Sequence, residues 1–273
     1  MEFTHTPPGE RDVREVIRNF APDSNFPRLL RWDSVLESET GGGVRVALLD
    51  SGLNCSLPMF EGAYIETHDF TGSGGVFDPT GHGTKSAALL VSQGENWLRG
   101  LVPDCTLLVG KVLGTRDPKS SAIALAKGIR WAVKQHAQVL LLPLGRMVGS
   151  KLIAEAIRDA ISENYCQFFA AAGNHGPDIC LFPAYVSGVR AISAADVAGM
   201  PLSWCCQTER VDCYAPGREL LAIGRGGSTI NGSSAATVLA AGMATLRLAR
   251  EQRLKSKANN REPPCLSTSL LSH

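Results

Sequence analysis

Three side chains in this 273-residue chain could together carry out acyl transfer: Asp50, His82 and Ser234. A serine hydroxyl is a weak nucleophile until a base removes its proton. Imidazole does that near neutral pH, and a carboxylate beside it holds the tautomer and stabilises the imidazolium. Each residue stands where a turn or a helix start would expose it. Asp50 closes the apolar run Val44 to Leu49 and leads into Ser51-Gly52. His82 lies between Gly81 and Gly83, ahead of the small-residue stretch Ser86 to Val91. Ser234 follows the polar stretch Asn231-Gly232-Ser233 and opens a largely apolar helical pattern that reaches Leu248. The free N–H groups and positive dipole end of such a helix favour negative charge developing beside them. Taken singly, each feature also has a plainer reading: an Asx turn, a turn histidine between flexible glycines, and a serine helix cap.

The elements that must position these residues alternate regularly. Thr106 to Leu113, Gln138 to Leu144, Gln167 to Ala172 and Val189 to Ala194 read as apolar strands, with helices over Ser121 to His136 and Lys151 to Glu163. Strands apolar throughout and separated by helices predict an α/β fold, a central parallel sheet with helices on both faces. In such sheets ligands bind outside the carboxyl ends of the strands, and Asp50, Leu144-Gly145 and Gly173-Asn174 all lie at such ends. Leu53 to Gly81 is loop-rich, and Pro201 to Gly227 is irregular with a few short β candidates. The expected organisation is an N-terminal arm over 1–26, one domain over 27–250, and a disordered polar tail over 251–273.

Composition excludes several classes. A net charge of +1 offers no field for nucleic acid or an acidic membrane, and no apolar window is long enough to span one. The charged, proline-containing start has no apolar core of a signal peptide, so the chain reads as cytoplasmic. Its eight cysteines, Cys55, Cys105, Cys166, Cys180, Cys205, Cys206, Cys213 and Cys265, form no zinc spacing. Reduced thiols are the expectation, with a disulfide from Cys205, Cys206 or Cys213 left open. No dense acidic loop invites calcium, and the expectation is no metal and no cofactor.

Taken together, the motifs resemble those of the subtilisin-like serine peptidases. Asp50-Ser51-Gly52 is similar to the family's Asp-Thr/Ser-Gly, Gly81-His82-Gly83-Thr84 to its Gly-His-Gly-Thr, and Gly232-Ser233-Ser234-Ala235-Ala236-Thr237 to its Gly-Thr-Ser-Met-Ala-Thr. The order Asp, His, Ser is that of subtilisin. The resemblance runs from about Trp32 to Leu248. It implies a subtilisin-like three-layer fold and a serine endopeptidase in which Asp50, His82 and Ser234 form the triad. Ala170-Ala171-Ala172-Gly173-Asn174 resembles the segment whose asparagine completes the family's oxyanion hole, which gives that role to Asn174. Pro143-Leu144-Gly145-Arg146 resembles the strand that lines the substrate cleft. The resemblance thus implies an extended peptide or protein substrate laid along Leu144, Gly145 and Arg146 on one side and Ala171, Ala172 and Gly173 on the other. It also implies a cis bond at Phe182-Pro183.

The departures lie at Val238, Lys85, Ala88 and Arg146. Only Arg146 bears on chemistry, because it puts a cation beside the cleft where the family has glycine; it predicts an acidic or small side chain on the non-prime side of the substrate. The strings Met59 to Ala63, Val102 to Cys105, and Asn174 through Cys180 to Ala184 resemble peptidases that trim cyanobactin-type peptide precursors. With no long pro-domain ahead of the catalytic region, this favours a processing enzyme. The same site could also resolve its acyl-enzyme with an amine, giving ligation or macrocyclisation, or could only bind peptides. No shielding insertion stands near His82, and all four chemical positions are filled, which favours hydrolysis.

Overall fold

The computed structural model describes residues 12–94, 98–114, 117–164, 166–223 and 228–259. Its centre is a sheet of β1 (Arg45–Asp50), β2 (Ile65–Asp69), β3 (Thr106–Lys111), β4 (Val139–Leu142), β5 (Gln167–Ala171), β6 (Val189–Ala195) and β7 (Cys213–Pro216). These pair in parallel in the spatial order β2-β3-β1-β4-β5-β6-β7. Leu48 and Leu49 are both fully buried. Neighbouring residues of a strand point to opposite faces, so the sheet has to be covered twice.

Helices supply the two outer layers. On one side α3 (Pro118–Lys134) packs on α4 (Lys151–Asn164) and lies against β1 and β3. Gly128 permits that approach, since a Cβ there would come within 2.8 Å of Val112 Cγ1. On the other, α2 (His82–Val91) packs on α5 (Gly232–Asn259), which crosses β4, β5, β6 and β7. The first half of α5 is apolar on all sides, and Ala235, Val238, Leu239, Met243 and Leu246 are buried, as a helix running through a core requires. A short antiparallel pair, β8 (Leu220–Ile223) and β9 (Ser228–Ile230), rests against α2. The Phe182–Pro183 bond is cis, as the sequence led us to expect.

Three features differ from the sequence expectations. The loop-rich stretch Leu53 to Gly81 contains β2, an edge strand whose middle residues are exposed. An edge strand has one neighbour and needs no continuous apolar run, so its charged sequence hid it. Residues 12–26 do not stand apart as an arm. Helix α1 (Val13–Arg18) buries Val13 and Ile17 in the main core, and Arg14 donates to the carbonyls of Glu37 and Glu39. Finally, α5 runs nine residues beyond 250, to Asn259. The stretch reads as polar, but Glu251, Gln252, Arg253, Leu254 and Lys255 are good helix formers, and Arg253 pairs with the buried Glu39. The rest of the expected tail, 260–273, and the start of the expected arm, 1–11, lie outside the described residues.

Candidate active site

Asp50, at the carboxyl end of β1, is fully buried. Its carboxylate accepts from the Ser51 N–H at 2.7 Å and the Ser86 hydroxyl at 3.2 Å. His82 Nδ1 lies 2.8 Å from Oδ1 and 2.9 Å from Oδ2 of the same group. A carboxylate only accepts, so Nδ1 carries the proton and Nε2 is the acceptor of the neutral ring. Burial alone would push the imidazole pKa down; the charge of Asp50, its hydrogen bond and the charge of Asp78 outweigh burial and raise it above the ordinary value.

The glycines of both motifs are explained by how closely β1 and α2 meet. A Cβ on Gly83 would stand 2.3 Å from the Gly52 carbonyl oxygen, and one on Gly52 would stand 2.3 Å from that of Val76. Only bare backbone lets the first turn of α2 press its imidazole onto the end of β1.

Sequence reasoning missed the group that organises this junction. Asp78 is 2% exposed. It accepts from the N–H and hydroxyl of Thr84, both at 2.8 Å, the Gly81 N–H at 2.9 Å, the Ser51 hydroxyl at 2.9 Å and the Thr80 N–H at 3.1 Å. Desolvation would raise its pKa, but the hydrogen bonds from Thr84, Ser51 and Thr80 prevail and hold it below the usual carboxylate value. A carboxylate four residues before His82, at the start of a helix with free N–H groups, is the signal that could have found it.

Ser234 is the third residue of α5 and partly buried. Its hydroxyl donates to the Pro143 carbonyl at 2.8 Å. That oxygen is free because β4 ends at Leu142, two residues short of the expected strand. No hydrogen bond joins Ser234 to His82 in this structure: the carboxylate–imidazole half of the arrangement is closed, while the hydroxyl rests on Pro143. Gly232 makes the entry into α5 with φ +75°.

Asn174 follows β5 and is exposed. Its carbonyl oxygen accepts from the Ser233 N–H at 2.9 Å, the Ser233 hydroxyl at 3.0 Å and the Cys205 thiol at 3.2 Å. Fixing the oxygen fixes the amide, and the NH2 is left to donate. Ser233 is itself held, its hydroxyl accepting from the Gly173 N–H at 3.1 Å. The residue before Ser234 is therefore the link between Asn174 and α5, a role its neighbour's motif had overshadowed.

Of the expected substrate-contacting residues, Leu144, Gly145 and Arg146 line a cleft of about 750 Å³ that also reaches His82 and Pro143. Arg146 exchanges two main-chain hydrogen bonds with Phe182, at 2.8 and 3.0 Å, and its Nη1 has no hydrogen-bond partner among the described residues. Ala171, Ala172 and Gly173 are buried instead. Ala172 bonds to Ile192 and Leu181, and Gly173 to Ser233 and Cys206. With these groups engaged inside the fold, this segment offers a wall more than a pairing edge.

The described cysteines, Cys55 to Cys213, are free thiols, and Cys265 lies outside the described residues. Burial pushes Cys166 up to about 12 and Cys213 up to about 11, so neither is a ready nucleophile. Among the described residues no His, Cys, Asp and Glu side chains group as a metal site, and no helix is long and apolar enough to cross a membrane.

The chain matches the Subtilase family over residues 41–262. It is 26% identical over 236 residues to the major intracellular serine protease of Bacillus subtilis (strain 168), covering 81% of this chain and 74% of that one. It is 30% identical over 212 residues to subtilisin BL of Lederbergia lenta, covering 76% and 77%. The solved structure of the prenylagaramide maturation protease PagA superposes with a TM-score of 0.71 at 27% identity, over 81% of this chain and 82% of that one. The chain belongs to the subtilase family and is a serine endopeptidase.

Proposed function

We propose that the chain hydrolyses peptide bonds through an acyl-enzyme, with Ser234 as nucleophile, His82 as base and then acid, Asp50 as orienting carboxylate and Asn174 as oxyanion donor. The observation that carries this reading is the buried Asp50–His82 pair, with Nδ1 held at 2.8 Å and Nε2 left as acceptor toward the cleft that Pro143 also lines.

The Ser234 hydroxyl leaves the Pro143 carbonyl and attacks the substrate carbonyl carbon while its proton passes to His82 Nε2. The oxyanion formed takes hydrogen bonds from the Asn174 amide and from the Ser234 N–H at the start of α5. Collapse breaks the C–N bond, and the Nε2 proton goes to the departing amine. Water, deprotonated by the same nitrogen, then attacks the acyl-enzyme and restores the serine. Asp50 stays ionised throughout and stabilises the imidazolium.

The natural substrate on this reading is a peptide or precursor protein that is trimmed rather than degraded. The likeness to a maturation protease supports this, and the likeness to intracellular serine proteases supports a cytoplasmic enzyme. The test is labelling by a fluorophosphonate probe, with the site located by mass spectrometry, in the native chain and in Ser234→Ala. Labelling of Ser234 that vanishes in the variant is expected. A folded native chain that takes no label would sink the reading.

A further inference from the structure

The space between Gly145 and Gly173 is already occupied. Gly145, two residues beyond Pro143, and Gly173, next to Asn174, share a neighbour in Leu181. A Cβ on Gly145 would stand 2.7 Å from Leu181 Cδ1, and one on Gly173 would stand 2.6 Å from Leu181 Cγ. The leucine side chain therefore lies in contact with both main chains and leaves no gap between them. It is 5% exposed.

The main chain that carries it is fixed as well. Its N–H donates to the Ala172 carbonyl at 2.7 Å, which ties it to one wall. The adjacent Phe182 exchanges hydrogen bonds of 2.8 and 3.0 Å with Arg146, which ties the segment to the other.

We propose that Leu181 limits the residue whose carbonyl is attacked to the size of glycine, alanine or serine. The inference rests on the Ser234 and Asn174 roles given above. A carbonyl held between those two groups belongs to a residue flanked by Pro143 to Gly145 on one side and Ala171 to Gly173 on the other, where the leucine stands. A long or aromatic side chain there would overlap Leu181 or break its ties to both walls. On the far side of Leu144 and Gly145 the cleft stays open, so selectivity for larger side chains falls to substrate residues that precede the attacked one.

The experiment compares two peptidyl phosphonate probes that differ only in alanine or phenylalanine at the reacting residue, with Ser234 labelling followed by mass spectrometry. The alanyl probe should label the native chain at least about ten-fold faster, the scale on which a closed pocket rejects an oversized side chain. In Leu181→Gly the phenylalanyl probe should gain several-fold relative to the alanyl one. If a fluorophosphonate labels Ser234 while the phenylalanyl probe keeps pace with the alanyl probe in the native chain, the inference is wrong and the hydrolase reading stands. An unchanged ratio in a folded, fluorophosphonate-reactive Leu181→Gly also overturns it. Absence of all labelling defeats the hydrolase reading and this inference together.

Discussion

His82 Nδ1 faces both carboxylate oxygens of Asp50, at 2.8 and 2.9 Å, and the carboxylate is fully buried. The raised imidazole pKa has a definite sign of effect. His82 acts as base only when neutral, so kcat/KM should rise with pH through a midpoint above the ordinary histidine value of about 6.5. Asp50→Asn removes the charge that raises it: the midpoint should fall, and kcat should drop about 10³ to 10⁴-fold. The stability linkage runs the other way from the activity. The stabilisation gained from protonated His82 is fully present below the unfolded pKa and is lost as pH rises through the higher folded one. Peptide hydrolysis and thermal unfolding, each followed across pH, check both.

Asp78 should matter to stability out of proportion to its distance from the chemistry. Asp78→Ala strands the N–H groups of Thr80, Gly81 and Thr84 around a buried space and should cost at least about 3 kcal/mol. Because its folded pKa is depressed, its contribution is present above the unfolded pKa and is lost as pH falls through the folded one. Urea unfolding at pH 7 and at pH 3 should find the gap between native chain and Asp78→Asn narrowing in acid.

Asn174→Ala should lower kcat by about 10² to 10³-fold with KM nearly unchanged, since an oxyanion donor acts in the transition state. A further loss in stability is expected from the unpaired Ser233 N–H. A variant that raised KM alone would place Asn174 in ground-state binding.

Gly232→Ala meets two obstacles at once. The backbone is left-handed there, and the added Cβ would stand 2.6 Å from the Asn174 amide nitrogen. The conformation alone should cost about 1 to 3 kcal/mol, and fluorophosphonate labelling should fall further than stability does, because the clash is with Asn174 itself.

Arg146 should favour an acidic side chain among the residues preceding the cut. It is the cleft-lining side chain with a permanent charge, and a carboxylate matches its fork of donors. Arg146→Ala should abolish that preference in a peptide library while cleavage of neutral peptides is retained. An identical profile for both chains would remove Arg146 from recognition.

The residues proposed to do the chemistry could be read without a structure because their local surroundings are demanding. Asp50 ends a strand too apolar to lie anywhere but in the core, His82 sits between glycines needed for close approach, and Ser234 opens a helix whose first half is largely apolar and buried. Parallel strands with helices between them left one sensible architecture. Other features depended on contacts between distant segments, which no window of sequence contains. The edge strand β2 forms because β3 offers it a free edge; α5 continues past 250, where Arg253 pairs with Glu39, more than two hundred residues earlier; and helix α1 joins the core with Arg14 reaching the carbonyls of Glu37 and Glu39. The same holds within the site. Nothing near Leu181 in sequence marks it as a stopper, because its contacts with Gly145 and Gly173 exist only once the two strand ends lie side by side. The hydroxyl of Ser234 likewise rests on Pro143 because β4 ends early in three dimensions. Local chemistry determined which groups could act, whereas packing determined how they are held and how much room is left for a substrate.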